Sequence, residues 1–553
     1  VSITGLMSAV AQPLPPAKVD IAWNRYYDVE QTYAWMRALA EAHPDLVRIE
    51  TIGKSLQGQD LLVAIVTSGK HGEHSAKPAM WIDGNIHGNE IQASEVVLYT
   101  MWMLTRGYGH SERITSLLDE ATFYLMPIVN PDGRRFWFEK ANTPHSSRHN
   151  QRPDDDDRDG RVDEDGPDDL DGDGSITQMW KVETGGAGRW VRSQTDHRVF
   201  VRLRDDQTPA TGVTTYTLLG EEGVDNDGDG RINEDGPFGD DMNRNWPADW
   251  QPEYIQGGAG PYPLSAPETR AVADFLLARP NVAAAQSYHN TGGMILRGPG
   301  SAYRERMYPP EDLRVYDDIA RTGEQMLPYY RYLIIFSQLY RVHGGCVNWA
   351  AEGLGTIAYT NELWTVGKYF QRDGNNPGDE QMWLWRDKME FESRFTDYKE
   401  FAHPQHGQVL VGGLNKWSSR ITPAFMLEEE CHRNFAFTML HAEQAPRLSV
   451  RRTECVRIGD DAGPGTLWRL RVEIANSGVI PTRTGLRRRE RIGWPDLAEL
   501  TGATVIAANR LGSWPDLTPA PAADAASREP SRIIVDDGVP GRGSRVLEFI
   551  VQG

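Results

Sequence analysis

The chain has 553 residues, more than one ordinary core accommodates, so two or three domains are expected. Hydrophobic residues make up 39% and charged residues 25%, the balance of a globular protein, and no apolar run approaches the roughly 18 residues needed to span a bilayer. The formal net charge of −20, concentrated in 154–173 and 221–241, argues against nucleic acid as a partner, because phosphates would be repelled.

Residues 1–11 are apolar and small. Ser8-Ala9-Val10-Ala11 before Gln12-Pro13 resembles the end of a secretory signal with its small-x-small cleavage site, so 1–20 reads as a signal remnant and linker and the protein as secreted or periplasmic. A disordered tail is the alternative. Cys346, Cys431 and Cys455 are too few for a disulfide framework; one bridge or three free thiols fit equally.

Residues 28–42 have apolar side chains at helical spacing, and Asp28 with Gln31 has the pattern of a capping box. The runs 61–66 and 79–82 are short, wholly apolar strands. A helix is expected at 91–104 and a buried strand at 121–129, closed by a turn at Asn130-Pro131-Asp132-Gly133. Ser265-Ala266-Pro267-Glu268 reads as a capping box opening a helix to 278, and 282–288 as a further strand. This alternation predicts an α/β fold, a central sheet with helices on both faces, with ligand sites beyond the carboxyl ends of strands.

Between about 150 and 238 the alternation breaks, and the segment reads as an acidic, Asp/Gly-rich insertion. Residues 155–167 match 225–237 at nine of thirteen positions, and a partial copy starts at Asp169. Asp155, Asp157 and Asp159, then Asp169, Asp171 and Asp173, then Asp225, Asp227 and Asp229, occupy positions 1, 3 and 5 of loops with Gly at 6, the start of a Ca²⁺ loop. Position 12 is Gly166 or Gly236, so these are not EF-hands; they resemble dockerin-type or thrombospondin-type repeats. A solvated acidic loop is the alternative, but so many carboxylates repel one another without cations. Residues 196–219 read as a β-hairpin within the insertion. Beyond 445, alternating strands at 467–475, 504–506 and 545–551 predict a small β-sandwich over 446–553, with an Ala/Pro-rich loop at 515–531.

His87-Gly88-Asn89-Glu90 follows the strand at 79–82, and a catalytic zinc site commonly takes two His and one Glu with an open position. His289, again at a strand end in Tyr288-His289-Asn290, is the candidate third ligand.

These motifs resemble the zinc carboxypeptidases of the carboxypeptidase A/B (M14) family over roughly 21–440, the acidic insertion apart. The resemblance implies a carboxypeptidase-like mixed sheet over 21–445 and a Zn²⁺ held by His87, Glu90 and His289. Asn243 and Arg244, in Asp241-Met242-Asn243-Arg244, inherit capture of the substrate's terminal carboxylate. Glu362, in Thr360-Asn361-Glu362-Leu363, inherits the general base, and Tyr340 the substrate-capping tyrosine. A cation facing the developing oxyanion falls on Arg148 or Arg152, with Arg148 preferred by its distance from the turn. Where the family often carries Arg inside the HxxE motif, this chain has Asn89. Val347, with Thr360 and Ile335, suggests an apolar or aromatic terminal side chain. The expected partners are peptide or protein C-termini. Two rivals remain: a peptidoglycan stem-peptide peptidase or amidase on the same fold, and a calcium-dependent binding protein with an inactive core. Oligomeric state has no signature in the sequence.

Overall fold

The computed structural model describes residues 14–155, 158–236, 239–371, 379–459, 465–512, 514–515, 517–519 and 529–553. The signal-like run at 1–11 and Asp157 lie outside the described residues. The helix α1 (Val29–Ala42) starts on the expected capping box, with Asp28 and Gln31 bonding each other's backbone. Strands β1 (Val47–Lys54), β2 (Asp60–Val66), β3 (Ala79–Gly84) and β4 (Thr122–Met126) follow, interleaved with α2 (Gln92–Gly107) and α3 (Glu112–Glu120).

Burial of β2, β3 and β4 on both faces explains their largely apolar sequences. Along β2, Leu62, Ala64 and Val66 enter one core while Leu61, Val63 and Ile65 enter the other. Side chains of α1, α2 and α3 fill the first core. The second is filled by elements later in the chain.

Asn130-Pro131-Asp132-Gly133 is not a free turn. It is the start of helix α4 (Pro131–Glu139), with Asn130 as N-cap accepting from the Gly133 N–H and Pro131 in the first turn. The same residues serve both structures, because each needs a short polar side chain folded back on the backbone. Helix α4 carries Arg134, which has no solvent exposure. Its guanidinium donates to Asn85 Oδ1 at 3.1 Å, to the Ile91 carbonyl at 2.9 Å and to Glu95 Oε1 at 3.1 Å. It therefore ties together the residues that bracket His87 and Glu90.

The insertion contributes β5 (Gln178–Glu183), β6 (Trp190–Arg192), β7 (Phe200–Arg202) and β8 (Thr215–Glu221). No simple hairpin spans 196–219: β7 pairs with β6, and β8 with β5 and β6. Helix α5 (Pro267–Leu277) starts after Ala266, and Ser265 does not cap it; Asn245 Oδ1 receives the Ala266 N–H instead, at 3.1 Å. Ala271, Val272, Phe275 and Leu276 of α5 pack into the second core.

Then come β9 (Val282–Asn290), β10 (Met294–Arg297), α6 (Pro310–Met326), β11 (Arg331–Ile334) and β12 (Ile357–Leu363). The central sheet has eight strands in the order β1-β2-β4-β3-β9-β12-β10-β11, and β4, β3, β9 and β12 run parallel. Gly84 at the end of β3 is level with Tyr288, and His289 is level with Glu362. Three parallel strands thus end together, and the candidate residues stand on that edge.

Two later strands, β13 (Phe395–His403) and β14 (Gly407–Leu414), complete the insertion's sheet in the order β13-β14-β5-β8-β6-β7. The insertion is therefore half of a larger unit whose other half follows Glu362. The chain ends with β15 (Leu448–Ile458), β16 (Leu467–Asn476), β17 (Asp496–Glu499), β18 (Thr504–Leu511), β19 (Arg532–Val535) and β20 (Ser544–Gln552). A four-stranded antiparallel sheet and the β17–β19 ribbon share a small core around Ile533, Val535, Leu547 and Phe549. This unit docks on the catalytic core away from the site: Arg487 donates to the carbonyl of Val282, at the opposite end of β9 from His289. All three cysteines are free thiols.

Arg134→Met should lower the unfolding free energy by about 3–5 kcal/mol, because it leaves the Glu95 carboxylate buried without its cation. Denaturant unfolding checks this; an unchanged midpoint would contradict it.

Candidate active site

His87 and Glu90 leave the end of β3 on a turn that only a glycine permits at position 88. A Cβ there would meet Gly133 C and Ser147 O at 2.4 Å. Asn85, at φ 58°, stabilises the turn by donating to the carbonyls of His87 and Gly88 at 2.6 and 3.1 Å.

Glu90 is 2% exposed. Its carboxylate lies 2.9 Å from His87 Nδ1 and 2.9 Å from His289 Nδ1, and the two Nδ1 atoms are 3.2 Å apart. Two ring nitrogens aimed at each other require a shared proton or a cation. Tetrahedral ligands about 2.1 Å from Zn²⁺ lie roughly 3.4 Å apart, close to these separations. The donor set, two imidazoles and a carboxylate, fits Zn²⁺.

The outward nitrogens are held differently. His87 Nε2 is 3.1 Å from Asp241 Oδ1, whereas His289 Nε2 is 3.4 Å from Ser287 Oγ, which donates to Asp83 Oδ1 at 2.6 Å. Such partners keep Nδ1 turned to the metal position. Burial opposes ionisation of Asp241, but Arg148, Arg244 and His87 outweigh it and hold its carboxyl well below the usual range.

Arg148, the preferred candidate over Arg152, stands at the site. Its Nε donates to Asp241 Oδ2 at 2.9 Å and its Nη1 to Glu90 Oε1 at 3.3 Å. Arg152 pairs with Asp240 instead, Nη2 to Oδ1 at 3.0 Å. Glu362 of β12 is the register partner of His289, so both side chains leave the same face of the sheet. Burial, reinforced by Glu90, pushes the Glu362 carboxyl up to about 7, with His289, Arg420 and Arg148 pulling the other way.

Arg244 is 9% exposed and donates to the Asn243 carbonyl at 2.8 Å. No carboxylate forms an ion pair with it among the described residues. Asn243 Oδ1 accepts the Cys346 N–H at 2.8 Å, which fixes the start of the helix Cys346–Glu352 that carries buried Val347. Thr360 and Ile335 are buried as well. Tyr340 is 49% exposed, beyond the last turn of the helix Ile335–Gln338.

Two features escape a reading of the sequence. Asn89 does not face the metal position; its amide donates to the carbonyls of Pro144 and His145, pinning the loop that leads to Arg148. A guanidinium reaches Glu90 from elsewhere: Arg420 Nη2 donates to Glu90 Oε1 at 3.1 Å and to the Asn290 carbonyl at 2.7 Å. Nothing local marks Arg420, whereas Asp241 was recoverable from its place beside Asn243.

The acidic loops lie apart from this centre. Asp225, Asp227 and Asp229 gather ligand atoms within 4.8 Å of one another, as do Asp169 and Asp171 with Glu222. In the latter group Lys399 already sits 3.2 Å from Asp171. Asp173 accepts the Ser175 N–H at 2.7 Å, and Asp155 the Gly160 N–H at 3.1 Å. Asp159 gathers with Glu164 and Asp227.

A family model for zinc carboxypeptidases (Peptidase M14) matches residues 32–384. The chain belongs to that family. Carboxypeptidase B of Astacus astacus is 25% identical over 367 residues, 63% of this chain and 89% of that protein. Mouse carboxypeptidase A2 is 22% identical over 358 residues, 63% of this chain and 64% of that protein. An inactive metallocarboxypeptidase of Saccharomyces cerevisiae, ECM14, is 30% identical over 130 residues, and the match spans only 30% of its length. The crystal structure of thrombin-activatable fibrinolysis inhibitor aligns with a TM-score of 0.46 at 20% identity, covering 76% of this chain and 75% of that one. No helix among the described residues is long and apolar enough to cross a membrane.

Asp241→Ala should weaken zinc binding by about 10–100-fold, since it removes the outer partner of His87. Competition against a chromophoric chelator measures this, and wild-type affinity in the variant would rule out the role.

Proposed function

We propose that the protein is a zinc-dependent carboxypeptidase that removes C-terminal residues, apolar or aromatic ones, from peptides outside the cytoplasm. The observation that carries this reading is the common strand edge on which His87, Glu90, His289 and Glu362 meet.

When bound, Zn²⁺ supplies Lewis acidity that acidifies water and polarises the scissile carbonyl. Glu362 takes the proton of the attacking water and later passes it to the leaving amine. Arg148 presents a guanidinium to the developing oxyanion. Arg244, buried and in no ion pair among the described residues, is available to a terminal carboxylate, with Asn243 beside it. Tyr340 closes over the bound residue, and buried Val347 makes its pocket apolar. The small-x-small run near the start supports export. The Asp/Gly-rich insertion is, on the same reading, a structural Ca²⁺ element.

The peptidoglycan reading shares every one of these groups, since stem peptides also end in a carboxylate. The inactive-core reading has less support: the two histidines and both glutamates are all present and mutually placed.

Glu362→Gln should reduce peptide hydrolysis by at least about 10²-fold while zinc content stays at wild-type level. Retained activity would remove Glu362 as the base. Arg244→Met should cost about 10–100-fold in preference for free over amidated C-termini. A terminal-residue scan with blocked dipeptides, run beside muropeptides, decides the substrate class; cleavage of muropeptides alone would replace the peptide reading.

A further inference from the structure

The two full acidic repeats face each other. The Asp165 N–H donates to the Asp235 carbonyl at 3.1 Å, and the Asp235 N–H to the Asp165 carbonyl at 3.1 Å, forming an antiparallel bridge between equivalent residues of the two copies. This pairing brings Glu164 and Asp165 of the first copy up to Asp227 in the second copy's loop.

Asp165 is fully buried. One carboxylate oxygen accepts from Asn226 Nδ2 at 3.1 Å; the other, Oδ2, is buried with no hydrogen-bond partner among the described residues. The Asp165 carboxylate points at other carboxylates: its ligand atom and those of Asp227 and Glu234 lie within 4.8 Å of one another. Asp227 in turn groups with Asp225 and Asp229. Among the described residues no Lys or Arg forms an ion pair with Asp165, Asp225, Asp227 or Glu234. The nearest cation is Arg231, 3.8 Å from Asp229, with its side chain 67% exposed. A buried carboxylate directed into a ring of carboxylates is costly unless a cation is shared among them.

We infer that Asp225, Asp227, Asp229 and Glu234 of the second repeat and Asp165 of the first form one Ca²⁺ site that neither repeat completes alone. The inference rests on the reading of the insertion as a Ca²⁺ element and specifies its key ligand. The two groups share Asp227, and within each the carboxylate oxygens are spaced to suit an ion with ligands about 2.3–2.6 Å away. The ion crosslinks the repeats at Asp235, close in sequence to Asp240 and Asp241. Asp240 accepts from Arg152 at 3.1 Å, and Asp241 orients His87 and Arg148.

The test uses the full-length, zinc-loaded protein freed of calcium by dialysis and titrated with CaCl₂, followed by calorimetry and thermal melting. Wild type should bind Ca²⁺ and melt higher with it. Asp165→Asn should weaken that binding at least tenfold and shrink the Ca²⁺-induced rise in Tm. Asp227→Asn, a change at a half-buried position, should do the same if Asp165→Asn does not fold. If wild type binds no Ca²⁺, the calcium reading of the insertion falls, and this inference with it. If wild type binds but both variants bind as tightly, only the shared site falls. If Asp165→Asn lowers Tm equally with and without Ca²⁺, Asp165 is a packing residue and the inference is overturned.

Discussion

The buried carboxylate of Glu90 is the constraint on which the rest depends. A carboxylate removed from water costs several kcal/mol unless it is paired and fully hydrogen-bonded. Glu90 meets that requirement by drawing in distant parts of the chain: His87 from its own turn, His289 and the Asn290 N–H from β9, Arg148 from the start of the insertion and Arg420 from beyond β14. Its bonds to Arg148 and Arg420 fasten two loops onto the strand edge. The parallel register of β3, β9 and β12 sets the distances, and the charge of Glu90 closes the loops onto them.

The same economy explains how a long insertion can interrupt a catalytic edge. The residues that flank it are bonded to each other at the site, Arg148 to Asp241, with Asn150 and Arg152 bonded to Asp240 alongside. Closing a longer loop adds little entropy cost once its ends are fixed. The excursion between those ends is therefore free to build its own sheet. It does so with β13 and β14, which return to the site through Arg420.

What was legible in the sequence follows from how local its cause is. The doubly buried strands were readable because continuous apolar runs have few other uses, and strand ends followed by His87, Glu90 and His289 pointed to the edge where ligands gather. Capping residues were ambiguous. Asn130-Pro131-Asp132-Gly133 suits a turn or a helix start, and Ser265 looked like a cap although Asn245, distant in sequence, does its work. Non-local pairing was invisible: nothing in residues 395–414 announces β5 as a neighbour. Arg420 illustrates the limit. Its role is the complement of Asn89, a residue whose oddity in the motif was plain, but whose replacement comes from a different unit of the fold.

The two histidines are held by different parts of the molecule, and this asymmetry bears on how the site behaves. His289 rests on Ser287 and Asp83, both inside the central sheet, where register leaves little freedom. His87 rests on Asp241, a residue of the insertion's exit, which also holds Arg148 and precedes Asn243 and Arg244. Half of the metal position is thus set by the rigid sheet and half by the insertion's exit. A shift of the exit would move His87, Arg148, Asn243 and Arg244 together, so order in the insertion bears directly on the geometry of the proposed site.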